Sequence, residues 1–359
     1  MSYEFQPEIL GSPNHQPMNK FTLHNMFGGK ATRQISDSTG SSAILRWMLL
    51  FAALLVPQMG QAAQWNATVG GQNHDKGHQA LAFLPNEIWI HAGDRITWLF
   101  EADDIHTVTF LTDDQPRPSF ADGCPGFSAD PATFDGSTCV TTPPRVSGQS
   151  FTVIFPNAGN FKLVCLVHEN MTGTIHVLAL SEPLPHNQAF YDQRAADERL
   201  NLLRDRGNPA TRSHTHEVAA GTGEIVATAG GSETAAVFRF DRDPTEIQAG
   251  QTVEWTNQDP VTPHTITFGM EPPGDPFPPS KDVTVDPDGA RHATIASTKD
   301  STHSGFIIAP PQERLGLSQS PLGFTRFRVT FPNAGTFPYG CVLHEELGMT
   351  GTVIVHPAH

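Results

Sequence analysis

The chain has 359 residues, with 22 Lys and Arg against 37 Asp and Glu and a formal net charge of -15. That balance excludes nucleic acid as a ligand, because binding a polyphosphate rests on counterion release at a basic surface. It steers cationic partners toward the protein, and it equally suits a secreted chain that must stay soluble.

In chain order, the first recognisable segment is Trp47 to Val56, an apolar run of ten preceded by Arg46 and followed by Pro57 and the small-residue stretch 60–63. It is too short to span a bilayer and predicts a cleaved secretory signal, with an uncleaved anchor as the competing reading. The polar region ahead of it is long for the start of a signal. It is either a tail or a mis-assigned start, with Met26 or a nearby codon the true one. The expected location is periplasmic or secreted, without stable membrane insertion after cleavage.

From residue 63 onward the pattern is that of short strands. Ile88–Ile90, Arg95–Trp98, His106–Phe110, Phe151–Phe155, Phe161–Cys165 and Thr172–Val177 alternate or run apolar, are rich in β-branched and aromatic residues, and are separated by Gly, Pro, Asn and Asp. Evenly spaced short strands predict a sandwich or barrel. Next, Asn187 is placed to cap a helix from about Gln188 to Arg206, stopped by Gly207-Asn208-Pro209; its apolar face would be Ala189, Ala196, Leu200 and Leu203, thin enough to require packing on a sandwich. The stretch Ser213 to Gly231 is rich in Gly, Ala and Thr and reads as flexible.

The landmarks then repeat. Pro85, Ala92-Gly93, Trp98 and His106-Thr-Val-Thr-Phe110 return as Pro244, Ala249-Gly250, Trp255 and His264-Thr-Ile-Thr-Phe268. Phe155-Pro-Asn-Ala-Gly159 returns as Phe331 to Gly335, and Met171-Thr-Gly-Thr174 as Met349 to Thr352. The offset grows from 158 to 176 residues, an insertion of 18 between the first His and the Cys of the second copy. A tandem duplication follows. Its parts are an N-terminal extension and signal (1–62), a first domain (63–181), a linker with a short helix (182–220) and a second domain (221–359).

Each copy carries the same chemistry in the same order. His106 precedes Cys165, His168 and Met171; His264 precedes Cys341, His344 and Met349. Two imidazoles and a thiolate in a trigonal plane, with a long thioether on the axis, are the ligands of a blue-copper electron-transfer centre. Two residues separate the second His from the Met in the first cluster and four in the second, so the two potentials should differ. With Cys165 and Cys341 on copper, Cys124 and Cys139 remain in the loop Asp122 to Thr142. A disulfide between them is expected in an oxidising compartment.

Together the two ligand sets, the Phe-Pro-Asn-Ala-Gly turn before each Cys strand and the Met-x-Gly-x strand after it resemble the plastocyanin/azurin-type cupredoxins. The resemblance covers nearly all of residues 63–359. It implies an all-β chain of two tandem Greek-key cupredoxin sandwiches joined by a linker with a short helix, and one type 1 copper per domain. It also implies single-electron transfer between redox partners, with His168 and His344 presenting their ring edges near the surface as electron ports. The first spacing is similar to amicyanin, the second to plastocyanin or pseudoazurin. Thr107 and Thr265 stand where the family often has Asn, which leaves the hydrogen bonding behind the ligands open. Glu169 and Glu345 follow the second His of each set, either as solvated loop carboxylates or as charges that favour Cu(II) and mark a docking face.

The natural partner of an acidic electron carrier is a cationic redox protein such as a basic cytochrome, and cupredoxin pairs in related architectures can assemble as homo-oligomers. Cys165 lies between Val164 and Leu166, and Cys341 between Gly340 and Val342, so neither is flanked by the imidazoles of a trinuclear cluster. The pairs His74/His78 and His214/His216 are expected to be solvated, and His176 and His356 structural or exposed. No catalytic residues are assigned, because no nucleophile elbow, phosphate-binding glycine loop or HExxH helix occurs. The alternatives kept are a copper storage or delivery protein, and the redox module of a copper oxidase or reductase.

Overall fold

The computed structural model describes residues 62–118, 123–124, 126–204, 216–274, 278–309 and 325–358. The signal segment and His214 lie outside the described residues. In the first half the strands are β1 (Gln64–Gln72), β2 (His78–Leu84), β3 (Glu87–His91), β4 (Arg95–Phe100), β5 (Thr109–Phe110), β6 (Ala132–Thr133), β7 (Val140–Thr141), β8 (Ser150–Ile154), β9 (Gly159–Val164) and β10 (Thr172–Leu178). Helix α1 (Gln188–Leu203) follows. The second half adds β11 (Glu217–Ala227), β12 (Ser232–Phe240), β13 (Thr245–Gln248), β14 (Thr252–Gln258), β15 (Thr267–Phe268), β16 (Thr284–Val285), β17 (Arg291–Thr294), β18 (Thr302–His303), β19 (Arg326–Thr330), β20 (Gly335–Gly340) and β21 (Thr350–His356).

The all-β sandwich class expected from the sequence is the observed one. Inner residues alternate with outer ones in β3, β4, β8 and β10, as period-2 patterning requires. Each half has its own five-stranded sheet with the same order of corresponding strands, β3-β10-β9-β5-β7 and β13-β21-β20-β15-β18. Facing both is one 11-stranded sheet, β16-β17-β19-β14-β11-β12-β2-β1-β4-β8-β6. The core is aromatic, with Trp98 and Trp255 at matching places and both fully buried.

The two halves are therefore joined by main-chain pairing. At the seam β12 runs antiparallel to β2, with Thr234 opposite Leu81 and Val237 opposite His78. Strand β2 is buried throughout Gln79–Leu84, which explains its nearly unbroken apolar sequence. One face enters the main core through Leu81 and Phe83. The other, Ala80, Ala82 and Leu84, packs with Ala235 under Leu202 of the helix. Small residues on that face let the helix approach closely.

Two expectations need correction. Asn187 does cap the helix, its Oδ1 accepting from the Phe190 amide at 3.1 Å, but the inward face is Tyr191, Ala195, Leu202 and Leu203; of the expected face only Leu203 packs inward, while Ala189, Ala196 and Leu200 face solvent. Tyr191 decides the rotation: its ring packs edge-on against Trp65 and its hydroxyl exchanges hydrogen bonds with the Trp89 backbone. Likewise the stretch read as flexible contains an 11-residue strand, β11, held between β12 and β14. Its Ala and Gly residues are small because Val218 to Gly221 are buried.

Candidate metal centres

Both clusters are built the same way. The upstream His sits in an isolated bridge just before a short strand, His106 opposite Arg145 and His264 opposite Ile307. The Cys follows the last residue of β9 or β20. Its amide donates to the carbonyl of the Met, Cys165 to Met171 and Cys341 to Met349, each at 3.0 Å, so one main-chain bond closes each ligand loop. The two extra residues of the second loop are taken up by a 3-10 turn, Glu345–Leu347, which ends at Gly348 in the left-handed region (φ 87°).

The donor atoms converge. In the first set, Nδ1 of His106 and His168 are 3.2 Å apart and lie 4.0 and 3.8 Å from Cys165 Sγ. In the second, Nδ1 of His264 and His344 are 3.1 Å apart and lie 3.9 and 3.4 Å from Cys341 Sγ. A trigonal ion with bonds of about 2.0 Å to nitrogen and about 2.3 Å to sulfur would hold its donors roughly 3.5 Å apart. The residues fit a metal of that kind. All six groups are buried, and Met171 and Met349 are fully buried within the same loops. A fourth position offering only a thioether suits copper better than zinc, which takes a fourth thiolate, imidazole, carboxylate or water.

Thr107 and Thr265 settle what stands where the family often has Asn. The amide of each donates to the Cys sulfur, at 3.5 and 3.3 Å. The hydroxyl of each accepts from the amide after the Cys, Leu166 at 2.7 Å and Val342 at 2.9 Å. The residue after the first His thus ties both ends of the site together.

Two glycines make room for the first imidazoles. Gly70 and Gly221 occupy the bulges of β1 and β11 with positive φ, and a side chain on either would collide with the His106 or His264 ring. Sequence reading missed both, although each falls in a recognisable small-residue segment of its own copy.

Acids stand behind the ligands, differently in each half. Asp104 Oδ2 lies 3.2 Å from His168 Nε2, whereas Asp259 Oδ2 lies 3.6 Å from His264 Nε2, all four buried. Burial disfavours the charged imidazolium, yet these carboxylates and the Cys sulfurs raise His168 to about 10 and His264 to about 9. Burial also opposes ionisation of the thiols, but the neighbouring imidazoles hold Cys165 and Cys341 well below the ordinary range. The Asp104 carboxyl is held low, against its burial, by His168 first, then His106 and His344 of the other half. In the metal-free pockets both directions favour the thiolate beside a protonated imidazole, His168 in the first and His264 in the second.

The expected surface ports are not observed. His168 and His344 are 1% and 3% exposed. Asp104 covers the first, and the Phe238 ring stacks on the second at 4.2 Å between centroids. Glu345 is exposed, but Glu169 is half-buried beside Arg117, whose guanidinium donates to the carbonyls of Cys165 and Glu169.

Cys124 and Cys139 form the expected disulfide. Among the described residues only the two His-Cys-His groups gather three metal-binding side chains. His176 stacks on Trp89 and bonds Asn160, and His356 pairs with Glu246. His78 contacts Asn73.

The family described as copper binding proteins, plastocyanin/azurin family, matches residues 71–178. The chloroplastic plastocyanin of Tetradesmus obliquus is 29% identical over 150 residues, covering 41% of this chain and 90% of its own. Among solved structures, a reduced amicyanin variant is similar at 16% identity and TM-score 0.23, covering 32% of this chain and 83% of that one. An oxidised plastocyanin from Dryopteris crassirhizoma is similar at 18% and 0.20, covering 39% and 99%.

Proposed function

From the premise that this chain is a cupredoxin of the plastocyanin/azurin type, matched as such over residues 71–178, we propose that it is a secreted protein with two type 1 copper centres that carries single electrons between redox partners. The observation that carries this reading is the doubled donor set: in each half two Nδ1 atoms and one Sγ converge in a buried pocket with a Met in the same loop.

Copper, when bound, would supply the one-electron couple. His106, Cys165, His168 and Met171 would hold it in the first half, and His264, Cys341, His344 and Met349 in the second. The chain's own part is to keep the geometry the same in both oxidation states. The Cys–Met main-chain bond, the Thr hydroxyl and the Thr amide fix the ligand loop without help from metal. Burial excludes water from the open positions. A ligand shell that moves little costs little reorganisation at each electron step.

A storage or delivery role asks for ligands that a recipient can reach, and these are enclosed. An oxidase or reductase role would need a third donor cluster. The acidic surface favours a cationic redox protein as partner, such as a basic cytochrome.

Copper quantification and visible spectra of the wild type beside Cys165→Ser and Cys341→Ser test the reading. Two coppers per chain are expected, with a visible band that bleaches on reduction, and each substitution should remove one copper and its share of the colour. A colourless copper-loaded chain would sink it.

A further inference from the structure

The two candidate centres sit on either side of the seam. Their bulge glycines, Gly70 on β1 and Gly221 on β11, belong to one sheet and are separated by β2 and β12 alone. That is three strand spacings, about 14 Å across the sheet.

A continuous set of contacts crosses this gap. On the second side, Phe238 of β12 is fully buried, stacked on His344 and edge-on to His264 at 5.5 Å between centroids. Its amide donates to the Gly77 carbonyl of the first half at 2.8 Å. The next residue, Arg239, binds the Leu347 carbonyl of the second ligand loop and the Asp75 carbonyl of the first half, at 2.8 and 2.5 Å. The same turn, residues 73–77, reaches the first centre: Lys76 pairs with Asp103 at 2.7 Å, and Gln72 donates to Asp103 at 3.0 Å. Asp103 is followed by Asp104, which faces His168.

We propose that the two centres exchange electrons with each other across this seam, by way of His168 and Asp104 on one side and His344 and Phe238 on the other. In that step one electron leaves one centre and enters the other, with no bond made or broken and no proton released. The inference rests on the two-copper reading above. It accords with the burial of both second imidazoles, His168 against Asp104 and His344 against Phe238, the two groups from which the contacts across the seam begin. Phe238 is specific to the second half, since strand register places Leu81 at the corresponding position of the first.

The test uses the full chain loaded with copper, with each centre's spectrum taken from the Cys165→Ser and Cys341→Ser proteins. After a flash-reduction pulse delivering less than one electron per chain, the two bands should redistribute in a first-order phase whose rate does not change with protein concentration. Phe238→Leu, which installs the residue of the first half, and Arg239→Gln should each slow that phase several-fold. The oxidised chain should also show electron-spin dipolar coupling that disappears in either Cys variant. Redistribution proportional to protein concentration, a rate untouched by both substitutions, or absent dipolar coupling with both copper bands present would each overturn the proposal. Absent copper bands would instead overturn the two-copper reading itself.

Discussion

The carboxylate of Asp104 stands 3.2 Å from Nε2 of His168, on the side of the ring turned away from Cys165. In the other half the acid serves the upstream imidazole, Asp259 facing His264 at 3.6 Å. Two centres with the same donors are therefore oriented by different hands. A carboxylate behind a ligand imidazole fixes its orientation and strengthens it as a donor, and losing such a partner costs about 10- to 100-fold in metal affinity. Asp104→Asn should weaken copper binding at the first centre by that factor and raise its potential, with a much smaller effect at the second. Copper titration and redox titration of each band check both effects.

Gly70→Ala and Gly221→Ala act by collision. Each glycine has a positive φ, where a Cβ costs roughly 1–2 kcal/mol, and each Cβ would meet the ring of the first imidazole. We expect each variant to lose the visible band of its own half while the other band persists. Equal loss of both bands, with lost secondary structure, would mean the glycines serve folding instead.

Glu233 gives a pH dependence remote from the metal ligands. Burial first, then repulsion from Glu198, pushes its carboxyl up to about 8 against an ordinary value of 4.5, and one of its oxygens has no hydrogen-bond partner. The folded chain thus binds this proton more tightly than the unfolded one. The resulting stability is present below about pH 4.5 and is lost as pH rises through about 8. Each tenfold difference in proton affinity is worth about 1.4 kcal/mol. Glu233→Gln should flatten this decline in denaturant melts of the metal-free chain between those limits and be the more stable form at pH 9.

The disulfide Cys124–Cys139 closes a loop with a sequence separation of 15. Replacing both cysteines by Ser should lower unfolding free energy by about 3 kcal/mol in the chain-entropy account. Both copper bands should remain, because neither sulfur belongs to a centre. Loss of colour at the first centre would show that the loop also shapes it.

Much of both sites is legible in the chain because it is local. A Cys, a His and a Met within seven or nine residues of one another, after a strand and before another, can converge only in a tight loop, and the doubling of the pattern removes coincidence. The disulfide was readable for a similar reason, two thiols in one Gly- and Pro-rich loop. The helix start was legible from Asn187, but its inward face was not: the turn that faces the sheet is chosen by Tyr191 finding Trp65 and the Trp89 backbone, partners about a hundred residues distant.

What no local pattern carries is everything that depends on long-range pairing. Residue types alone specify the donor set, and the metal it suits follows from the softness of sulfur and the number of imidazoles. Which acid stands behind which imidazole and what covers the second imidazoles are set by packing within each half, and that the halves share one sheet arises when β2 and β12 pair across more than 150 residues. Main-chain hydrogen bonds have no sequence signature of their own, so only the folded chain shows that the centres are neighbours.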